Sequence, residues 1–199
     1  MKKNCLILTF LFLISFCFSQ KGYVDGYIVK GSDTIKGKIK DNSFFINKTK
    51  KIFFLSADGK KQKLSSRQIK GYGKLGLLHY HSIYIGLFGG TPRFATVLEN
   101  GNLILYSYTS TYHSTGGGYG GSGYGGYSTM GSTSQSTSYY IQQKNNNKTE
   151  RIPFIGFKSF IAKYVDDDVE LKKDVEDKSL RYNDILLIVK KYNSDKLKK

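Results

Sequence analysis

Three lysines on a strictly alternating segment carry the most explicit chemical signal in this chain. In Thr34-Ile35-Lys36-Gly37-Lys38-Ile39-Lys40, apolar or small residues and lysines take turns. A β-strand points successive side chains to opposite faces. The pattern therefore predicts a half-buried strand, with Ile35 and Ile39 inward and Lys36, Lys38 and Lys40 outward. Alternate residues on a strand stand about 7 Å apart, so the three ammonium groups form a ladder that a multivalent anion could bridge through charge-assisted contacts. The same ladder would discourage edge-to-edge pairing, because lysines on a strand do so. A second arrangement is His79-Tyr80-His81, which puts two imidazoles on one strand face at a spacing that suits two metal ligands. A third ligand would have to come from His113 or from a carboxylate. Two histidines in a tyrosine-rich strand are far more often packed or partly exposed side chains.

The catalytic repertoire is otherwise thin. Gly121-Ser122-Gly123 lies in low-complexity sequence, not between a strand and a helix, so it has no nucleophile-elbow context. The glycines at 116–126 lack the Lys-Ser/Thr ending and the helix of a phosphate-binding loop. No cofactor motif is present. Asp166-Asp167-Asp168 are adjacent, whereas a calcium loop alternates its ligands; these carboxylates read as the cap of a helix. Residues 20–155 contain six acidic side chains against eighteen basic ones, which makes a general acid–base pair a poor prospect there.

The N-terminus explains part of this. Lys2 and Lys3 precede an almost unbroken apolar run from Cys5 to Phe18, and Ser19 offers a small residue for cleavage. This is the three-part logic of a secretion signal, too short for a membrane span of about 20 residues. Cleavage after Ser19 leaves Gln20 first. Acylation of Cys17 is the alternative, though the bulky Phe16 precedes it. Both cysteines, Cys5 and Cys17, fall in this segment, so a mature chain would have no disulfide and no thiol chemistry. The formal charge of +16 becomes +14 without Lys2 and Lys3, and residues 156–199 are nearly balanced, with eleven basic and nine acidic side chains. For an exported protein, an excess of cations points away from nucleic acid. It points towards anionic lipid headgroups, acidic polysaccharide or an acidic envelope protein. It also suits plain surface solubility.

Strand and turn signals fill residues 20–155. Tyr23 to Val29 leads through Gly31-Ser32-Asp33 into the lysine strand. Ile52 to Leu55, Asp58-Gly59 and Gln62 to Ser65 form a second hairpin. Ser65 to Gly73 reads as a connection. Leu75 to Phe88 holds one or two buried strands. Phe94 to Glu99 and Leu103 to Tyr108 flank Asn100-Gly101, a pair suited to a type I′ turn with positive φ. Tyr139 to Gln143 and Arg151 to Ile155 bracket Asn145-Asn146-Asn147. Residues 114–138, rich in Gly, Tyr, Ser and Thr, have too few aliphatic side chains to offset the cost of ordering glycine. They predict a disordered insert, either a tolerated insertion at a hairpin tip or an adhesive segment. From Phe157 the period becomes helical: Phe157, Phe160, Ile161 and Tyr164, then Leu171 and Val175, then Tyr182, Ile185, Leu186 and Val189.

Gly26-Tyr27-Ile28-Val29, Asp33-Thr34-Ile35-Lys36-Gly37-Lys38-Ile39 and the tail Tyr182-Asn183-Asp184-Ile185 to Tyr192-Asn193 resemble an uncharacterised family of small exported Bacteroidota proteins. The likeness touches both ends and about a third of the chain. It implies location and length but assigns no activity. It also implies that Asp33-Thr34-Ile35 is similar to the sequon those bacteria O-glycosylate, with Thr34 as acceptor; Asp-Thr is good turn chemistry too.

The expected fold is α+β. A signal peptide (1–19) precedes an antiparallel β-rich body (20–155) of eight to ten strands carrying the 114–138 insert, and two or three C-terminal helices (156–199) pack on that body. No transmembrane helix is expected in the mature chain, which would reside in the periplasm or at the outer-membrane surface. The leading functional expectation is a non-enzymatic envelope protein that binds an anionic component through Lys36, Lys38 and Lys40. An adhesion or matrix protein using the Gly/Tyr segment and a hydrolase with an unrecognised site are the alternatives.

Overall fold

The computed structural model describes residues 22–40, 51–75, 79–86, 90–114, 132–146, 148–177 and 180–197, with backbone alone at 112–114, 132 and 197. The expected signal peptide, 1–19, lies outside the described residues. The chain divides into two compact units, residues 1–46 with 50–79 and residues 47–49 with 80–199.

The first unit is an antiparallel sheet of β1 (Tyr23–Lys30), β2 (Asp33–Lys40), β3 (Lys51–Ser56), β4 (Lys61–Ser65) and β5 (Gly71–Lys74). Its strands lie in the order β5-β1-β2-β3-β4. One face is apolar, with Ile28, Ile39, Ile52, Phe54, Leu64 and Tyr72 all buried. Ile39 takes the inward place its alternation predicts, but Ile35 does not, being 40% exposed. The reason is the reach of the next strand. β3 pairs with β2 only from Gly37 to Ile39, so Ile35 has β1 beside it and no third strand across the other edge.

Gly37, on the apolar face between Ile35 and Ile39, is a glycine for a packing reason. A Cβ there would come within 2.5 Å of both the Phe54 ring and the Leu55 carbonyl oxygen. Gly37→Ala is expected to lower the unfolding free energy by about 1–3 kcal/mol, as overpacking does, with urea denaturation as the check.

The second unit contains β6 (His79–Ile85, whose first residue counts with the first unit), β7 (Thr91–Asn100), β8 (Leu103–Ser114), β9 (Ser132–Gln143) and β10 (Glu150–Arg151). They form an antiparallel sheet in the order β10-β9-β8-β7-β6. α1 (Phe157–Ala162), α2 (Val169–Glu176), a 3-10 turn (Tyr182–Asp184) and α3 (Ile185–Leu197) follow. The molecule is thus broadly α+β: mostly antiparallel sheet, with little helix.

Asp168 caps α2, its carboxylate accepting from Leu171 N at 3.0 Å. The helices bury Ile161, Val165, Leu171, Val175, Ile185, Ile188 and Val189 against Leu103, Leu105, Ile141 and Ile152 of the sheet side. β10 is shorter than the run from Arg151 to Ile155 suggests. Pro153 has no N–H to donate to a ladder, and Phe154 and Ile155 are 75% and 90% exposed. Among the described residues, no helix is long and apolar enough to cross a membrane.

Two expectations need correction here. The insert is narrower than 114–138. Ser114 ends β8, and Ser132 to Ser138 belong to β9, in register from Ser107↔Tyr139 to Ser114↔Ser132. Hydroxyl side chains hold part of this ladder: Thr109 and Thr137 bond at 2.9 Å, and Ser110 donates to the Ser136 carbonyl at 3.3 Å. Both faces there are polar, so no apolar period betrays the strand, yet threonine suits a strand and pairs across it. Residues 115–131 lie outside the described residues.

The second correction concerns Gly101, which does not adopt the positive φ of a type I′ turn. It is needed for space. A Cβ would fall against the amide carbon of Asn193, a residue only 5% exposed. Asn193 Oδ1 accepts from Leu103 N at 2.9 Å, and its Nδ2 donates to Leu103 O at 2.8 Å. One side chain from α3 therefore serves both backbone groups of the residue that restarts the sheet.

Candidate anion-binding face

On β2 the lysine ladder continues into a wider arrangement that register alone creates. Paired residues in antiparallel strands point to the same side. Lys38 faces Leu55 on β3, and Leu55 faces Lys61 on β4. One step along, Phe53 faces Lys63, and Lys40 reaches the same ring from β2. The ammonium groups of Lys40 and Lys63 stand 5.6 and 5.4 Å from the Phe53 ring centre. Four lysines thus mark the corners of a grid about 7 Å along the strands and about 10 Å across them. Phe53, 37% exposed, and Leu55, 8% exposed, run down its middle. Lys36 extends the grid along β2, and Lys51 extends it along β3.

The electrostatics follow from the census. The described part of this unit holds eleven Lys and Arg against Asp25, Asp33 and Asp58. Of those acids, only Asp25 shares the lysine face within the ladder, paired with Lys38; Asp33 pairs with Lys30 on the other side. Asp58 lies in the β3–β4 turn, where a hydrogen bond from Ser56 holds its carboxyl below the usual carboxylate range. Lys36, Lys40, Lys51, Lys61 and Lys63 are exposed and Lys38 is half-buried. Each cation over Phe53 gains roughly 0.5–1 kcal/mol from the ring, which fixes the two ammonium groups on either side of it without neutralising them.

Thr34 lies on the same face as Lys36, exposed, at the hairpin end of β2 opposite Val29. His79 and His81 are two apart on β6, but each is engaged by a different tyrosine. Tyr27 Oη lies 2.5 Å from His79 Nδ1, and Tyr106 Oη lies 3.2 Å from His81 Nδ1. Among the described residues, no group of three His, Cys, Asp or Glu side chains converges as a metal site would need. The side chain of His113 lies outside the description.

The ladder of Lys36, Lys38 and Lys40 is legible in the sequence, whereas its partners Lys51, Lys61, Lys63 and Phe53 are not. The alternation Lys61-Gln62-Lys63 is the signal that could have found two of them. Comparison with family models, with curated proteins and with solved structures finds no match to this chain.

Proposed function

We propose that this protein is a non-enzymatic, exported cell-envelope protein whose first unit docks on anionic lipid headgroups. The observation that carries the reading is the lysine grid with an exposed phenylalanine at its centre. Cations spaced at about 7 and 10 Å meet separate phosphates, and a partly exposed aromatic between them can enter the headgroup layer, where such rings are favoured. The secretion-signal pattern at residues 1–19 and the resemblance to small exported proteins support an envelope location. The adhesion alternative rests on the Gly/Tyr segment, most of which lies outside the described residues, and no described feature favours it.

Vesicles containing lipid A or an anionic phospholipid are expected to retain the protein at low salt and to release it near ~0.5 M salt, where surface charges are screened. Zwitterionic vesicles should not retain it. Each lysine near an anionic surface contributes about 1 kcal/mol. The K38Q/K40Q/K61Q/K63Q variant should therefore bind about a hundredfold more weakly or worse, with stability lowered only by the roughly 1–2 kcal/mol of the two lost contacts with Phe53. Salt-independent retention, or full retention of the quadruple variant, would overturn the reading. Binding of a soluble polyuronate at this grid without vesicle binding would replace lipid by acidic polysaccharide.

A further inference from the structure

The second unit carries a separate recess on the sheet face turned away from the helices. Leu103, Leu105 and Ile141 point to the helices. The alternate residues Tyr106, Tyr108 and Ser110 on β8 therefore point the other way, as do their partners Tyr140, Ser138 and Ser136 on β9. Arg151 is paired with Tyr140. Arg93 alternates with Ala95, which packs with Tyr106 and Tyr140. A cavity of about 390 Å³ opens among these residues, bounded by Arg93 and Arg151 and floored by Tyr108, Ser110, Ser136 and Ser138. That is within the range of small-ligand sites, roughly 300–1,000 Å³.

The lining is chemically lopsided. It holds two guanidinium groups and no carboxylate. Among the described residues, neither arginine forms an ion pair; Arg93 spends one N–H on the Pro92 carbonyl at 2.9 Å and keeps the rest of its fork. Arginine is the side chain suited to bidentate capture of a planar carboxylate. Between the two arginines lies a row of hydroxyls, each able to donate and accept, beside the rings of Tyr108 and Tyr140. Two cations bracketing hydroxyls and aromatic faces match one ligand class better than others: a polyhydroxylated carboxylate.

We propose that this cavity binds acidic units of a carboxylated saccharide, Arg93 and Arg151 each holding a carboxylate and the serine hydroxyls between them meeting sugar hydroxyls. The site is independent of the lysine grid.

Calorimetric titration of the full chain with a short polygalacturonate oligomer tests this, with a neutral malto-oligosaccharide and inorganic phosphate as parallel arms. Saturable binding of the uronate alone is expected. Arg93→Gln and Arg151→Gln should each weaken it by about ten- to a hundredfold, the worth of a hydrogen-bonded charged contact. Arg93→Lys should recover part of that loss, since it keeps the charge but not the fork. The K38Q/K40Q/K61Q/K63Q variant should bind as the unaltered chain does. Equal binding of the neutral oligosaccharide would overturn the proposal, as would phosphate competing fully with the uronate. So would uronate binding that survives both arginine substitutions, or that disappears in the lysine variant.

Discussion

Replacing Asn193 with alanine is expected to lower the unfolding free energy by about 1–3 kcal/mol, because it leaves the buried Leu103 N–H without a partner and Leu103 O with only the 3.3 Å bond from Gly101 N. The side chain accepts from Leu103 N and donates to Leu103 O, and its Nδ2 also lies 3.5 Å from Glu99 Oε1. Leu103 itself is 1% exposed, so water cannot readily take over. Asn193→Asp should fare little better. A carboxylate can still accept from Leu103 N, but it cannot donate to Leu103 O, and it would face Glu99.

Gly101→Ala should also destabilise, through the contact of its new methyl with Asn193. The two substitutions share one cause, so they should not add. In the Asn193→Ala background the methyl gains room, and Gly101→Ala should cost clearly less than it does alone. Chemical denaturation of the four proteins in this cycle measures the coupling. Strict additivity would mean that the loop and the helix are not linked through this amide.

Alkali is expected to unfold the second unit from about pH 10 upwards. Burial pushes the phenols of Tyr106 and Tyr192 up to about 12, and the hydrogen bond to Asp167 adds to the effect at Tyr192. Tyr164, near Glu150, is raised to about 12 as well, with burial again the first cause. An unfolded tyrosine ionises near 10. Between the two values the unfolded chain has released protons that the folded chain keeps, so stability is full below pH 10 and declines as pH rises towards 12. For Tyr106, 2% exposed, the loss amounts to about 2–3 kcal/mol.

Lys172 and Lys191, whose pKa values are raised by Asp166 and Asp174, act in the same direction, so a substitution is needed to isolate a phenol. Tyr192→Phe loses its bond to Asp167 Oδ2, at 3.3 Å, and should be less stable at neutral pH by about 1 kcal/mol. Its stability should then fall less steeply above pH 10, so that the two curves converge. Tyrosinate absorbance followed against pH should show a delayed fraction in the folded protein. Parallel pH–stability curves for the two proteins would remove Tyr192 from the account.

The sequence by itself determined the local elements whose periodicity is plain. The lysine strand, the Asp58-Gly59 hairpin and the helical stripes at Leu171 and Val175 and at Ile185 to Val189 stand where alternation or helical spacing puts them, whereas the first stripe is cut short, because α1 ends at Ala162 and leaves Tyr164 beyond it. Ile39, Leu171, Val175 and Val189 are buried for that reason. Asp168 caps its helix because a short carboxylate before an apolar run can reach the free N–H groups of the first turn.

Tertiary structure alone decided what register and reach control. Ile35 stays exposed because β3 stops short of it, which no pattern within β2 reveals. The Ser/Thr run at 132–138 becomes strand because β8 supplies its hydrogen bonds. Gly101 answers to Asn193, ninety-two positions away, and not to its own φ angle. The grid of Lys38, Lys40, Lys61 and Lys63 around Phe53, and the pairing of Arg93 with Arg151 across one recess, arise from which strands lie side by side. A strand's own sequence sets which face each side chain takes, but only the neighbouring strand sets what stands opposite it.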